Sequence, residues 1–119
     1  MLPRVYIETT FVSYLTAWPS GDQIVAGHQK STHEWWNFHR VDYELCTSQL
    51  VLQEAGQGDV LAARERLHLL NRMTYLETTA DALSLAKELI RAGALPAKSQ
   101  DDALHIAIAA TQRVPYLLT

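Results

Sequence analysis

The sequence predicts an α/β fold, a layered domain around a mainly parallel sheet of about four strands. Two observations predict it. Short β-branched and aromatic runs alternate with longer segments whose apolar residues recur at helical spacing. Most of those longer segments are introduced by Ser, Thr or Asp, and several are closed by Gly. The 119 residues hold no repeat, linker or low-complexity stretch, so a single domain is expected over 1–119.

In order along the chain, "RVYI" (4–7) is a short buried strand. "ETTFVSYLTA" follows, with Thr9 or Thr10 available to cap a short helix. "WPSGD" (18–22) is turn chemistry. Residues 23–40 have roughly helical spacing and contain three of the five histidines. "YELCT" (43–47) is a second strand. Ser48 caps "QLVLQEAGQG", a helix ended by Gly56 or Gly58. Asp59 caps "VLAARERLHLLNR", where Leu61, Leu67 and Leu70 form an apolar stripe. "MTYLET" (73–78) is a third strand, and Thr79 opens "ADALSLAKELIRAG", closed by Gly93. After the loop "LPAKS" comes a helix in "SQDDALHIAIAA" (99–110), and "VPYLLT" (114–119) is the fourth strand. Such alternation implies parallel strands joined by right-handed crossovers.

Bulk properties narrow the function. A net charge of −3 argues against a basic nucleic-acid clamp, yet permits a nuclease that holds phosphates through a metal. Cys46 is the lone cysteine, which excludes an intrachain disulfide and agrees with a reducing, cytoplasmic setting. In its strand-like run it reads as a small buried hydrophobe. No apolar stretch approaches the roughly 18 residues of a membrane span, and "MLPRVYIETT" reads as fold, not as a signal peptide.

In open parallel sheets the functional crevice lies past the carboxyl ends of the strands. Glu8 follows the first strand, Glu54 lies on the helix after the second, and Asp101 and Asp102 start the helix before the fourth. If those strands are adjacent, the acids converge. Clustered carboxylates repel and raise one another's pKa, and a divalent cation removes that cost. Oxygen ligands suit Mg²⁺ or Mn²⁺. Such an ion activates water and stabilises phosphoryl charge, which points to phosphodiester hydrolysis. Other roles exist for the same residues. Ser99 to Asp102 has the form of a capping box, acids favour helix starts through the dipole, and Glu54 suits a solvated face. Glu8 has the fewest alternatives, because a carboxylate at the end of a buried strand needs a partner. Spacing alone leaves both readings open.

The remaining signals are weaker. The histidines lack the H-E-x-x-H arrangement of a zinc site. His105 reads as a hydrogen-bonded helix histidine, with Asp101 four residues before it as an available partner. Of Trp35 and Trp36, one is expected in the core and the other partly exposed as an interface anchor. Arg64, Arg66 and Arg72 read as a solvated face that also guides phosphates.

Taken in order, "VYIETTFVSYL", "TSQLVLQEAGQGD", "DDALHIAIAA" and "YLLT" resemble the PIN-domain family over residues 4–119. This is the nuclease fold of the toxin in many bacterial VapBC toxin–antitoxin pairs. The resemblance implies a three-layer α/β/α sandwich and an Mg²⁺- or Mn²⁺-dependent ribonuclease. It also implies an RNA substrate, an antitoxin partner and a homodimer. Carried over by residue, the metal-holding and catalytic acids fall on Glu8, Glu54 and Asp102, and the supporting hydroxyl falls on Thr10. Asp101 has no fixed family role and is a neighbour that caps or tunes the local field. Three departures stand out. Glu8 replaces the usual aspartate, and its extra methylene moves the carboxylate by about 1.5 Å, a displacement that can cost roughly 10²-fold in rate. Pro115 stands where relatives often have an acid. The usual last strand and helix are expected to be missing beyond "LLT". The alternative to a working ribonuclease is therefore a catalytically impaired PIN-fold module that binds a partner.

Overall fold

Three consecutive apolar residues, Val5, Tyr6 and Ile7, are buried in strand β1 (Arg4–Ile7), a central strand of a sheet covered by helices on its faces. A computed structural model describes residues 1–119. On one side β1 pairs with β2 (Glu44–Ser48), which in turn pairs with β3 (Thr74–Leu76). On the other side it pairs with β4 (Tyr116–Leu118). All pairings are parallel, in the order β3-β2-β1-β4. Each crossover carries helix, as parallel strands require.

The helices are α1 (Thr9–Thr16), α2 (Gln23–His39), α3 (Gln49–Ala55), α4 (Val60–Leu70), α5 (Ala80–Arg91) and α6 (Gln100–Thr111). Helix α1 packs against α2, α3 and α4, and α5 pairs with α6. The result is the predicted PIN-like α/β arrangement, a four-stranded parallel sheet flanked by six helices. Tyr6, Ile7, Val12, Val51, Leu70 and Ile108 anchor the core. Cys46 is fully buried, as expected of a small hydrophobe, and burial pushes its thiol pKa up.

The chain runs outward from β1 through β2 to β3, then returns to pair β4 on the far side of β1. Strand order therefore reverses between β1 and β4, and a crevice is expected past their carboxyl ends. The residues just beyond are Glu8 and Thr119, whose placement is fixed by a hydrogen bond from Glu8 N–H to the Leu118 carbonyl (2.9 Å).

Capping explains most boundaries. Asp22, Ser48, Asp59 and Thr79 each accept backbone N–H bonds at the starts of α2, α3, α4 and α5. Gly93 takes a positive φ of 78° just after α5, a conformation costly for any residue with a Cβ.

Some local expectations are revised. Glu8, not Thr9 or Thr10, is the N-cap of α1, with its carboxylate accepting from Thr10 N–H. A carboxylate outbids a hydroxyl there because it carries full charge toward the helix dipole. The capping box expected at Ser99 is not formed, since the Ser99 side chain makes no cap bond. In α4, the expected leucine stripe holds only at Leu70, which is buried with Ala63, while Leu61 is two-thirds exposed and Leu67 also faces solvent. Arg66 is also no free surface charge. Its guanidinium donates to the carbonyls of Ala55 (2.9 Å) and Gln57 (2.6 Å), closing the C-terminal end of α3. Trp35 packs edge-on against Phe11, and Trp36 carries the Arg40 guanidinium 4.9 Å above its ring.

Candidate metal centre

The β1–β4 switch point places Glu8 at the C-terminal end of β1, 8% exposed. Helix α3 brings Glu54 to the same place from the neighbouring strand, since Ser48 ends β2 and caps the short helix that carries it. Helix α6 contributes His105, which is 2% exposed. Glu8, Glu54 and His105 each offer a ligand atom, all within 4.8 Å of one another.

Each carboxylate has one oxygen held by the protein. Glu8 Oε2 accepts from Thr10 N–H (3.1 Å) and from the Thr119 hydroxyl (2.7 Å). Glu54 Oε1 accepts from the Thr9 hydroxyl and contacts His105 Nε2 at 2.8 Å. Glu8 Oε1 lies 3.6 Å from the same nitrogen. No Lys or Arg pairs with either acid; His105 is the one basic group in reach. Two fixed, partly buried carboxylates without a permanent counter-charge suit a divalent cation by their donor chemistry.

Asp102 is exposed and lines a cavity of about 250 Å³ with Glu8, His105, Ile106, Leu117 and Thr119. It stands at the rim of the cavity, outside the 4.8 Å cluster. Thr10 is exposed and meets Glu8 through its backbone N–H, whereas the hydroxyl that touches a site carboxylate within this segment is that of Thr9. Asp101 does not line that cavity; it borders one between α5 and α6, with Leu83, Ile90 and Leu104 among others, and shares with Asp102 a second one at the start of α6. Of the five residues singled out from sequence, the fold brings Glu8 and Glu54 into direct proximity and Asp102 to the same opening. Thr10 enters by its main chain, and Asp101 stays outside the cavity that Glu8 lines.

Behind the carboxylates runs a buried polar chain. Tyr6 Oη lies 2.7 Å from His105 Nδ1 and 2.7 Å from Ser48 Oγ, and Ser48 Oγ accepts from Val51 N–H (3.3 Å). Burial drives the Tyr6 hydroxyl pKa above its usual range; the Ser48 contact opposes the rise, and Glu54 and Glu8 add to it. His105 therefore pairs with Tyr6 and Glu54, not with Asp101. Tyr6, Thr9, Ser48, His105 and Thr119 were not legible as site residues. A faint signal existed for His105, three residues after Asp102 and so on the same face of α6. None existed for Tyr6, which looks like an ordinary strand aromatic.

The sequence matches no family model and no curated protein. Solved structures do match. VapC20 of Mycobacterium tuberculosis, a sarcin–ricin loop cleaving toxin, superimposes with a TM-score of 0.68 at 21% identity, over 95% of this chain and 86% of that one. A chain of VapBC2 from Rickettsia felis, in a structure bound to a DNA fragment from their promoter, gives 0.60 at 16% identity, over 96% of both chains. Over nearly its whole length, the chain shares the PIN-domain fold of the VapC toxins.

Proposed function

We propose that the chain is a divalent-metal-dependent endoribonuclease, the toxin of a VapBC-like toxin–antitoxin pair. The observation that carries the reading is the meeting of Glu8 and Glu54 at the strand-order reversal of a VapC-like fold, with Asp102 at the same opening. Glu8, Glu54 and Asp102 would hold Mg²⁺ or Mn²⁺. Such an ion supplies an activated water and charge stabilisation at a phosphoryl oxygen. The chain's own residues set the geometry. Thr9 and His105 orient Glu54, while Thr10 N–H and Thr119 orient Glu8. Each acid thereby has one oxygen fixed by protein donors, and its other oxygen accepts no hydrogen bond from the protein.

RNA as substrate is supported by the loop-cleaving activity of VapC20, and an antitoxin partner by the VapBC2 assembly. A homodimer and a cytoplasmic location complete the reading, the latter supported by the single buried thiol. No helix is long and apolar enough to cross a membrane.

The test is cleavage of structured RNA by purified protein with Mg²⁺ or Mn²⁺, its loss with EDTA, and its loss in Asp102→Asn with the fold intact by circular dichroism. Undiminished cutting by that variant removes Asp102 from the site.

One observation favours a second reading, a catalytically impaired module that binds its partner. The longer Glu8 side chain is drawn back to cap α1. Metal binding without RNA cleavage supports that reading, and Glu8→Asp then restores activity. Strong metal-dependent cleavage by the wild type eliminates it.

A further inference from the structure

We propose that His105 is a positioning residue that holds Glu54 and does not ligate the metal, and that Tyr6 and Ser48 dictate this by fixing its tautomer. The inference rests on the reading of Glu54 as a metal-holding carboxylate.

Hydrogen-bond accounting sets the direction of the chain. A carboxylate only accepts, so the 2.8 Å contact with Glu54 Oε1 requires a hydrogen on His105 Nε2. Two arrangements then remain for the nitrogen facing Tyr6. If Nδ1 also carried hydrogen, Tyr6 Oη would have to accept it and pass its own proton to Ser48 Oγ. Ser48 is fully buried, and its hydroxyl has two contacts: Tyr6 Oη and the Val51 N–H, which is itself a donor. Its proton would then be orphaned in the interior, which native structures avoid. The other arrangement satisfies every atom. Ser48 donates to Tyr6, Tyr6 donates to Nδ1, and Nε2 donates to Glu54. The raised pKa of Tyr6 agrees with a hydroxyl that keeps its proton.

A nitrogen that carries hydrogen has no lone pair for a cation. Although His105 Nε2 is close enough to join Glu8 and Glu54 around an ion, using it would reverse the whole chain and strip Glu54 of a donor. The imidazole instead acts as a rigid N–H strut. It is wedged by edge-on packing against the Tyr6 ring, with centroids 5.6 Å apart, and it fixes Glu54 through Oε1, leaving Oε2 without a protein donor. Outer partners of this kind tune metal sites strongly.

The experiment has two arms. In protein labelled with ¹⁵N-histidine, long-range proton–nitrogen spectra read the His105 tautomer without metal and with saturating Mg²⁺. The expected result is Nε2–H with bare Nδ1 in both. Hydrogen on both nitrogens, or on Nδ1 alone, overturns the proposal. In the second arm Mn²⁺ binding is measured by calorimetry, and electron spin echo spectra report any coordinated nitrogen. The wild type is expected to bind Mn²⁺ with no directly coordinated ¹⁴N. A coordinated ¹⁴N that vanishes in His105→Gln overturns the proposal. Tyr6→Phe should weaken Mn²⁺ roughly tenfold, and His105→Leu by up to about 100-fold. His105→Gln, which returns an N–H near Nε2, should recover about tenfold over the leucine variant. Equal affinity of the glutamine and leucine variants counts against a donor role. The tautomer is read on the wild type, so it stands even if a variant misfolds. Nε2–H in a protein that binds no Mn²⁺ overturns the metal reading of the site, and with it the positioning role. Mn²⁺ binding without RNA cleavage overturns only the nuclease reading.

Discussion

Replacing Glu8 by Gln should raise the stability of the metal-free protein and abolish its stabilisation by Mn²⁺. Glu8 and Glu54 present ligand atoms within 4.8 Å of each other, and both are largely shielded from solvent. Two like charges at about that distance repel by roughly 3–4 kcal/mol at an effective dielectric of 20. The His105 N–H, 2.8 Å from Glu54 and 3.6 Å from Glu8, and partial solvent access offset most of this. A net relief of about 1 kcal/mol remains. Glutamine keeps an oxygen to accept from Thr10 N–H and from Thr119, so the α1 cap survives. For a domain of this size 1 kcal/mol is worth about 3–6 °C in Tm. In the wild type, Mn²⁺ at 100 times its Kd should add about 2.7 kcal/mol, or about 10 °C by the same scaling. The assay is thermal unfolding by circular dichroism with EDTA and with Mn²⁺. Equal Mn²⁺-induced shifts in wild type and variant would refute the assignment of Glu8 to the metal. A metal-free variant less stable than the wild type would show that the carboxylate serves the cap more than it burdens the cluster.

Other predictions test the supporting contacts. Thr9→Val keeps the side-chain shape but removes the hydroxyl on Glu54; it should lower kcat about tenfold or more while Tm moves by only a few degrees, and unchanged kinetics would show that His105 suffices. Arg66→Ala removes two carbonyl contacts at the end of α3. It should cost about 1 kcal/mol in urea unfolding, whereas unaltered stability with a selective loss of RNA affinity would restore Arg66 to a phosphate-guiding role. Tyr6 has a folded pKa raised above the ordinary 10.0. Its contribution is complete below that value and is lost as pH rises beyond it, because only the unfolded chain ionises there. Stability should therefore fall above about pH 10, and Tyr6→Phe should make that fall shallower, as read by urea midpoints across the alkaline range.

Element order and the parallel sheet were legible in the residues alone. These are local or periodic properties. A strand such as "RVYI" is apolar on both faces because crossover helices cover both faces of a parallel sheet, and Ser48, Asp59 and Thr79 mark helix starts through bonds to residues three positions away. The sequence also located Glu8 and Glu54, since the ends of parallel strands share one edge. Tertiary structure decided everything that depends on which donor reaches which acceptor. Thr9 rather than Thr10 meets Glu54 through its hydroxyl, Ser99 makes no cap, Arg66 serves the backbone, and Asp102, not Asp101, shares a cavity with Glu8. The Tyr6–His105 contact joins residues 99 positions apart, and Tyr6 meets Ser48 across 42. Such pairs leave no trace in spacing or periodicity. Their existence depends on β2 and β4 flanking β1 in register and on α6 crossing the sheet at the height of Tyr6. Packing alone sets that geometry, because side-chain hydrogen bonds act over about 3 Å while sequence patterns report only which face a residue occupies.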